Sequence, residues 1–466
     1  MKLRFLGANR QVTGSKYVLQ ANGTRIMVDC GMFQEREFTA RNWEPFPVSP
    51  KAVHKLLLTH VHIDHSGLIP KFVKDGFDAP ILATHPTVDL ADIVLRDSAH
   101  IQEEDAAYKK RRHRKEGRSG AFPEIPLYTD ADVETTLTLF ESVNYGEPVH
   151  LAEGITATFH DAGHILGSAM IEIVAQEAGR TNRIIFSGDI GQNGKPFVRD
   201  PTRFDQANYI VMESTYGDRD HEPLEDIPNK LCDAINQTVK RGGNLVIPTF
   251  AIERAQELMY YISELVFANR IPDIPIFLDS PMAADVTAVF RANHQYLDAD
   301  TRRLIDSDRP PLRFPGLHMV RNVEDSKAIK EQSGSSIIMA ASGMCNAGRI
   351  KHHLRSNISR PESTILFVGF QAHGTLGRQI LEGAPEVRIH GAPQRVRAHI
   401  TKINGMSAHA DRTGLLHWLG HLKAKPQKVF LCHGEEQAAT SLAERIHTDL
   451  GFEVEIPQYD HTFDLD

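Results

Sequence analysis

Thr59-His60-Val61-His62-Ile63-Asp64-His65-Ser66-Gly67 is the stretch on which the reading of this chain turns. It follows Leu56-Leu57-Leu58, an apolar run that predicts a buried strand. It precedes Leu68-Ile69-Pro70-Lys71-Phe72, which predicts the start of a helix. Three histidines and one aspartate therefore sit on a strand-to-helix turn. In an extended segment, side chains i and i+2 point the same way, so His60 and His62 can grip one ion. Asp64 and His65 follow where the chain turns, within reach of a second ion. Imidazole with carboxylate suits zinc, and borderline metals such as manganese or iron. Four ligand-type residues within the six positions 60–65 are too dense for a turn of merely solvated histidines.

Outward from that turn, the whole chain sets limits. At 466 residues it predicts two or three domains. A hydrophobic content of 41% and a charged content of 24% are those of an ordinary globular protein. The formal net charge of −8 announces no nucleic-acid binder, so such a function must rest on local patches or on metal. Cys30, Cys232, Cys345 and Cys432 form no Cys-x-x-Cys pair and read as buried thiols in a reducing compartment. The opening Met1-Lys2-Leu3-Arg4-Phe5-Leu6-Gly7 has too little apolar length for a signal peptide. No apolar run approaches the ~20 residues of a membrane span. A cytoplasmic protein without membrane association is expected.

Upstream of the turn, short strands are predicted at 2–6, 15–20 and 24–29, with Asn22-Gly23 as a hairpin signal. The third strand ends at Asp29-Cys30-Gly31. That aspartate is either a turn former or the orienter of a metal ligand. Downstream, 79–84 predicts a strand and 86–109 a helix. Lys109 to Lys115 is a basic run, read first as a mobile solvated segment and alternatively as a phosphate-attracting lip. His164 lies in a glycine-flanked turn between strands. Asp189 and Glu213 each end an apolar strand. From about 228 to 395, strands alternate with helices, which predicts a mostly parallel sheet. Ligands of such sheets lie beyond the carboxyl ends of the strands. The loops carrying Ser342-Gly343 and His373-Gly374 fall there, and each reads equally well as a phosphate site or as a plain turn. From Val396 the first pattern resumes, through Ser407-Ala408-His409-Ala410-Asp411 to His433-Gly434-Glu435.

His60, His62, Asp64, His65, His164, Asp189 and His433 all fall at or just past strand ends. This set resembles the metallo-β-lactamase fold of hydrolases, whose signature turn is His-x-His-x-Asp-His. The α/β insertion, followed by Ser-Ala-His-Ala-Asp and then His-Gly-Glu, resembles the β-CASP branch of that fold. Those proteins are nucleic-acid processing nucleases, including the endonuclease subunit of the eukaryotic cleavage and polyadenylation machinery and its bacterial and archaeal relatives. The resemblance implies an αββα sandwich with an inserted β-CASP α/β domain. It divides the chain into 1–215 and 396–466 for the sandwich and 216–395 for the insertion, which would cover the metals as a lid.

The resemblance further implies two zinc ions per chain, with manganese as the alternative. His60, His62 and His164 would hold one, Asp64, His65 and His433 the other, with Asp189 bridging. Asp29 would support them. The ions would activate a water and clamp the scissile phosphate. His409, held by Glu213, would act as general acid toward the leaving 3′-oxygen. The implied substrate is single-stranded RNA, because a histidine at the position of His433 goes with RNA, whereas Artemis-type DNA nucleases carry an apolar residue there. Arg349 and Arg378, beside the glycine loops, read either as donors to flanking phosphates or as surface ion-pair partners. A homodimer is compatible with this reading. Competing readings are a non-catalytic RNA-binding subunit and a small-molecule hydrolase of the same fold.

Overall fold

The structure is a computed structural model that describes residues 1–117, 119–120, 122–369, 371 and 374–466. Its strands run in chain order as β1 (Lys2–Gly7), β2 (Lys16–Ala21), β3 (Thr24–Val28), β4 (Lys55–Leu57), β5 (Ile81–Thr84), β6 (Phe140–Val143), β7 (Val149–Ala152), β8 (Ile155–Asp161), β9 (Ala169–Glu177), β10 (Arg180–Phe186) and β11 (Tyr209–Glu213). They continue as β12 (Leu245–Pro248), β13 (Ile276–Leu278), β14 (Leu317–Met319), β15 (Ile337–Ala340), β16 (Thr364–Phe367), β17 (Glu386–Ile389), β18 (Ala392–Arg395), β19 (His399–Lys402), β20 (Lys428–Cys432), β21 (Val454–Glu455) and β22 (His461–Asp464).

The chain forms two compact units. The first comprises Met1–Asn193, Arg199–Asp220 and His409–Asp466. It holds two seven-stranded sheets, in the orders β22-β1-β2-β3-β4-β5-β6 and β21-β20-β11-β10-β9-β8-β7. Phe5, Leu19 and Val28 of one sheet share a buried core with Phe159, Ile171, Phe186 and Phe430 of the other. The alternation of these strands supplies each sheet with a second apolar face. On the first sheet that face packs under Leu68, Ile69 and Phe72. On the second it packs under Leu415, Trp418, Leu419 and Leu442. Helices therefore cover both outer faces, and the layers run αββα.

Both sheets contain a parallel stretch. β3, β4 and β5 are parallel neighbours in one, and β10, β11 and β20 in the other. Asp29 and the turn of residues 59–67 follow the carboxyl ends of β3 and β4. Asp189, Ser214 and His433 follow those of β10, β11 and β20. Parallel strands deliver their chain ends to one edge, which is where α/β sheets place their chemistry.

The second unit comprises Gly194–Val198 and His221–Ala408. Its six-stranded sheet runs β14-β13-β15-β12-β16-β19, and all the pairings are parallel. Val246, Ile338 and Phe367 pack against Ile350, Leu354 and Ile380 from helices on one face. β19 was expected to resume the sandwich after Val396. It pairs instead in parallel with β16, Thr364 opposite His399, and so belongs to this unit. The strand pattern alone cannot decide which sheet a parallel strand joins. Gly194–Val198 threads into the same unit, where buried Lys195 pairs with buried Glu257 and Phe197 packs on Phe290.

Three helices near the turn of residues 59–67 matter below: α1 (Ile63–Ser66), α2 (Ile69–Lys74) and α3 (His85–Glu116). The basic run Lys109–Lys115, expected to be mobile, forms the last turns of α3. Ala106 and His113, seven residues apart on one face, are buried there. His113 Nδ1 lies 2.5 Å from Glu124 Oε1, which ties the helix end to the returning chain. No helix among the described residues is long and apolar enough to cross a membrane.

Candidate metal centre

Chain geometry first fixes the turn. Gly31 packs so closely on it that a Cβ there would fall 1.7 Å from the Asp64 carbonyl oxygen and 2.9 Å from His65 N. Cys30 N donates to the His65 carbonyl at 2.7 Å, and Ser15 N to that of Asp64 at 2.8 Å. The His164 loop is held likewise. Its backbone N donates to Ser168 Oγ at 3.1 Å, and a Cβ on Gly191 would fall 1.7 Å from the Gly163 carbonyl oxygen.

Four side-chain atoms then converge. His60 Nε2 lies 3.1 Å from His62 Nδ1, which lies 3.2 Å from His164 Nε2. Asp189 Oδ2 lies 3.3 Å from both His60 Nε2 and His164 Nε2. These four atoms, three imidazole nitrogens and one carboxylate oxygen, are the donor types that zinc takes, and all lie within 4.8 Å of one another. Three imidazole nitrogens this close cannot satisfy one another by hydrogen bonds. They are suited to a shared cation.

A second set adjoins the first through the other oxygen of the same carboxylate. Asp189 Oδ1 lies 3.2 Å from His65 Nε2 and 3.4 Å from His433 Nε2, and Asp64 Oδ2 lies 4.0 Å from His433 Nε2. Asp189 Oδ1 is buried and accepts no hydrogen bond from the described residues. A buried carboxylate oxygen without a donor is costly and fits a metal ligand. Although burial opposes it, the surrounding imidazoles, with His433 foremost, hold the Asp189 carboxyl well below the ordinary range.

Behind the ligands stands a row of supports. Asp29 Oδ2 lies 2.8 Å from His65 Nδ1 and accepts from Thr59 Oγ1 at 2.9 Å, while its Oδ1 accepts from Thr59 N at 2.8 Å. Asp29 thus fixes the ring of His65 with Nε2 facing Asp189, the usual service of a carboxylate to a ligating histidine. Ser15 Oγ, 3.2 Å from His433 Nδ1, does the same for His433. Sequence reasoning missed Ser15, Thr59 and Gly191. Hydroxyls and glycines at these places carry no signal until the strands pair.

His409 completes the group. Its Nδ1 lies 3.1 Å from each oxygen of Glu213 and 3.9 Å from Asp189 Oδ2. Glu213 Oε1 also accepts from Ile190 N at 2.6 Å. Burial acts against the imidazolium of His409, but Glu213 and then Asp189 outweigh it and raise its pKa to about 9. His62, Asp64 and His409 are the partly exposed members, so this side of the cluster is open to substrate.

Seven ligand candidates, with Asp29, Glu213 and His409, are therefore brought together in the first unit. The residues singled out for phosphate lie in the second. Arg349 is engaged by buried Asp279, Nη1 to Oδ1 at 2.7 Å, and by the Arg321 carbonyl at 2.7 Å. Arg378 Nε pairs with Glu382 at 2.6 Å on the surface. Ser342 Oγ faces the Ala347 carbonyl at 3.3 Å, and Gly343 packs under the ring of Phe250. Gly374 has φ near +80°, a turn glycine. His373 lies outside the described residues.

Family models match three stretches. Residues 18–197 match a metallo-beta-lactamase superfamily domain, 255–380 the Beta-Casp domain, and 393–457 a Zn-dependent metallo-hydrolase RNA specificity domain. Ribonuclease TTHA0252 of Thermus thermophilus is 38% identical over 95% of this chain and 95% of its own. The chain belongs to the β-CASP family of metallo-β-lactamase-fold proteins. Another β-CASP relative, transcription termination factor FttA of Methanothermobacter thermautotrophicus, is 31% identical over 98% of this chain and 70% of its own. A crystal structure of a protein of unknown function from Enterococcus faecalis shares the fold, with a TM-score of 0.56 and 12% identity over 100% of this chain and 99% of that one. The matched family is one of metallo-hydrolases, and the His/Asp cluster gathers donor atoms that could hold a metal ion.

Proposed function

We propose that the chain is a zinc-dependent ribonuclease that hydrolyses phosphodiester bonds of single-stranded RNA and leaves 5′-phosphate and 3′-hydroxyl ends. The observation that carries this reading is Asp189, whose two oxygens face two separate sets of histidines. His60, His62 and His164 would hold one zinc ion and Asp64, His65 and His433 a second, with Asp189 available to both and manganese as the alternative. Metal held there would lower the pKa of a bound water and offset charge on the phosphate.

The chain's own residues do the rest. Asp29 and Ser15 hold the rings of His65 and His433 in place. Glu213 keeps Nδ1 of His409 occupied and favours the protonated ring. The proton passed to the leaving 3′-oxygen comes from Nε2 of His409. The relatives' names, ribonuclease and transcription termination factor, support RNA as the substrate, as does the matched RNA specificity domain. The convergence of all seven ligand candidates weighs against a non-catalytic subunit.

The test is digestion of one single-stranded RNA and its DNA counterpart, each 5′-labelled, by the wild type and the Asp64→Ala protein. RNA fragments that vanish in the variant support the reading. Equal cleavage of DNA, or RNA cleavage that survives Asp64→Ala, overturns it.

A further inference from the structure

The cationic end of α3 has no part in the centre described above. α3 spans 32 residues, about 48 Å at 1.5 Å per residue. Its amino end sits beside the His164 loop, where Thr87 Oγ1 donates to the Gly167 carbonyl at 2.8 Å. Lys109 begins roughly 36 Å farther along the axis. Lys109, Lys110, Arg111, Arg112, Arg114 and Lys115 are all exposed. Among the described residues only Arg112 of these has an ion pair within 4 Å, with Glu116 at 2.7 Å. Favourable placement at a helix carboxyl end accounts for cations in the last turn. It does not account for Lys109, Lys110 and Arg111.

The same region also concentrates exposed apolar groups. Of the six large hydrophobic side chains exposed among the described residues, Ile101, Tyr108, Phe122 and Ile125 lie on α3 or on the chain returning from it. Phe122 stacks on Trp43, with ring centroids 6.1 Å apart and planes 10° from parallel. Ile101, Tyr108 and Lys115 are spaced by seven and share one ridge. Apolar and charged groups are therefore mixed along one face, acidic at Glu104 and Asp105 before Tyr108 and cationic after it, whereas a helix lying in a membrane segregates them. Cations interleaved with exposed aromatics are the chemistry of a single-stranded nucleic acid: phosphates on one, bases on the other.

We propose that the carboxyl-terminal half of α3, with Tyr108 and the Phe122–Trp43 stack, is a docking ridge for single-stranded RNA remote from the metal centre. The proposal rests on the ribonuclease reading and adds a substrate class: strands long enough to reach from the centre to the ridge. The His113–Glu124 contact and the hydrogen bond from Tyr128 to Ser98 at 2.8 Å tie α3 to the returning chain.

The test uses the full chain carrying Arg111→Gln, Arg114→Gln and Lys115→Gln together, and separately Tyr108→Ala. Binding and cleavage of a long unstructured RNA and of an oligomer of about five nucleotides are measured across a salt series. For the long RNA, the triple variant should raise KM about tenfold or more and flatten the slope of log K against log salt by about 2, near 0.7 per lost contact. Cleavage of the short oligomer should be unchanged, and Tyr108→Ala should raise KM for the long RNA without changing the slope. Unchanged KM and slope with long RNA would overturn the ridge, as would equal losses on both lengths, or binding of anionic vesicles in place of RNA. A wild type that cleaves neither RNA would instead sink the ribonuclease reading itself.

Discussion

His409 Nδ1 stands 3.1 Å from both carboxylate oxygens of Glu213, in a site where burial alone would keep the ring neutral. Removing that negative charge should lower the pKa of His409 from about 9. A general acid must be protonated to act, so activity is lost as pH rises through its pKa. Glu213→Gln should therefore move the alkaline limb of the pH–rate profile downward by a unit or more. His409→Ala should abolish cleavage at every pH with metal content near that of the wild type. Loss of metal from His409→Ala would show that the ring serves as a ligand instead.

Asp189 should be indispensable to both ions. Asp189→Ala removes an oxygen from each donor set, so bound metal should fall from about two equivalents per chain to less than one. Elemental analysis of the dialysed protein reads this directly. Retention of two equivalents would mean that Asp189 is not a ligand.

Asp29 should act at one remove. Without it, the ring of His65 loses the 2.8 Å contact that orients Nε2. Asp29→Ala should weaken metal affinity 10–100-fold, the usual effect of losing such a support. A competition titration with a chelator measures it. The conservative Asp29→Asn should recover part of the loss, because an amide oxygen can still accept from Nδ1–H.

Gly31 should tolerate no side chain. A Cβ 1.7 Å from the Asp64 carbonyl collides with backbone, which cannot rotate away. Gly31→Ala should lower both thermal stability and metal content. A variant of wild-type stability that binds metal normally would show the turn to be looser than it is drawn.

Lys16 should make stability depend on alkaline pH. It is buried, donates to the Gly31 carbonyl at 3.1 Å and lies 4.7 Å from the Phe33 ring centroid. Burial, aided by Arg41 and Lys71, pulls its pKa from 10.5 to about 8. Between those values the unfolded chain binds more protons than the folded one, so stability rises with pH through that window. The rise should be on the order of 3 kcal/mol in all. Urea unfolding at several pH values should show it as the difference between the wild type and Lys16→Met.

Much of this protein was legible from residue order alone. Ligands crowded into 60–65, and acidic residues or histidines at the ends of apolar runs, mark a metal-binding strand-to-helix edge, because chain spacing dictates which side chains share a face. The α/β insertion followed from the strand and helix periods, and the αββα sandwich from the resemblance that the motifs carry. Tertiary structure alone decided three things. It set β19 in the insertion's sheet, since parallel pairing depends on which neighbour offers free backbone groups. It set the run at 109–115 in the last turns of α3, where buried His113 meets Glu124. It enlisted Ser15, Thr59, Gly31 and Gly191 around the metal centre, and engaged Arg349 with Asp279. Hydrogen bonds and close backbone approaches across hundreds of residues arise only when strands from both ends of the chain meet at one edge.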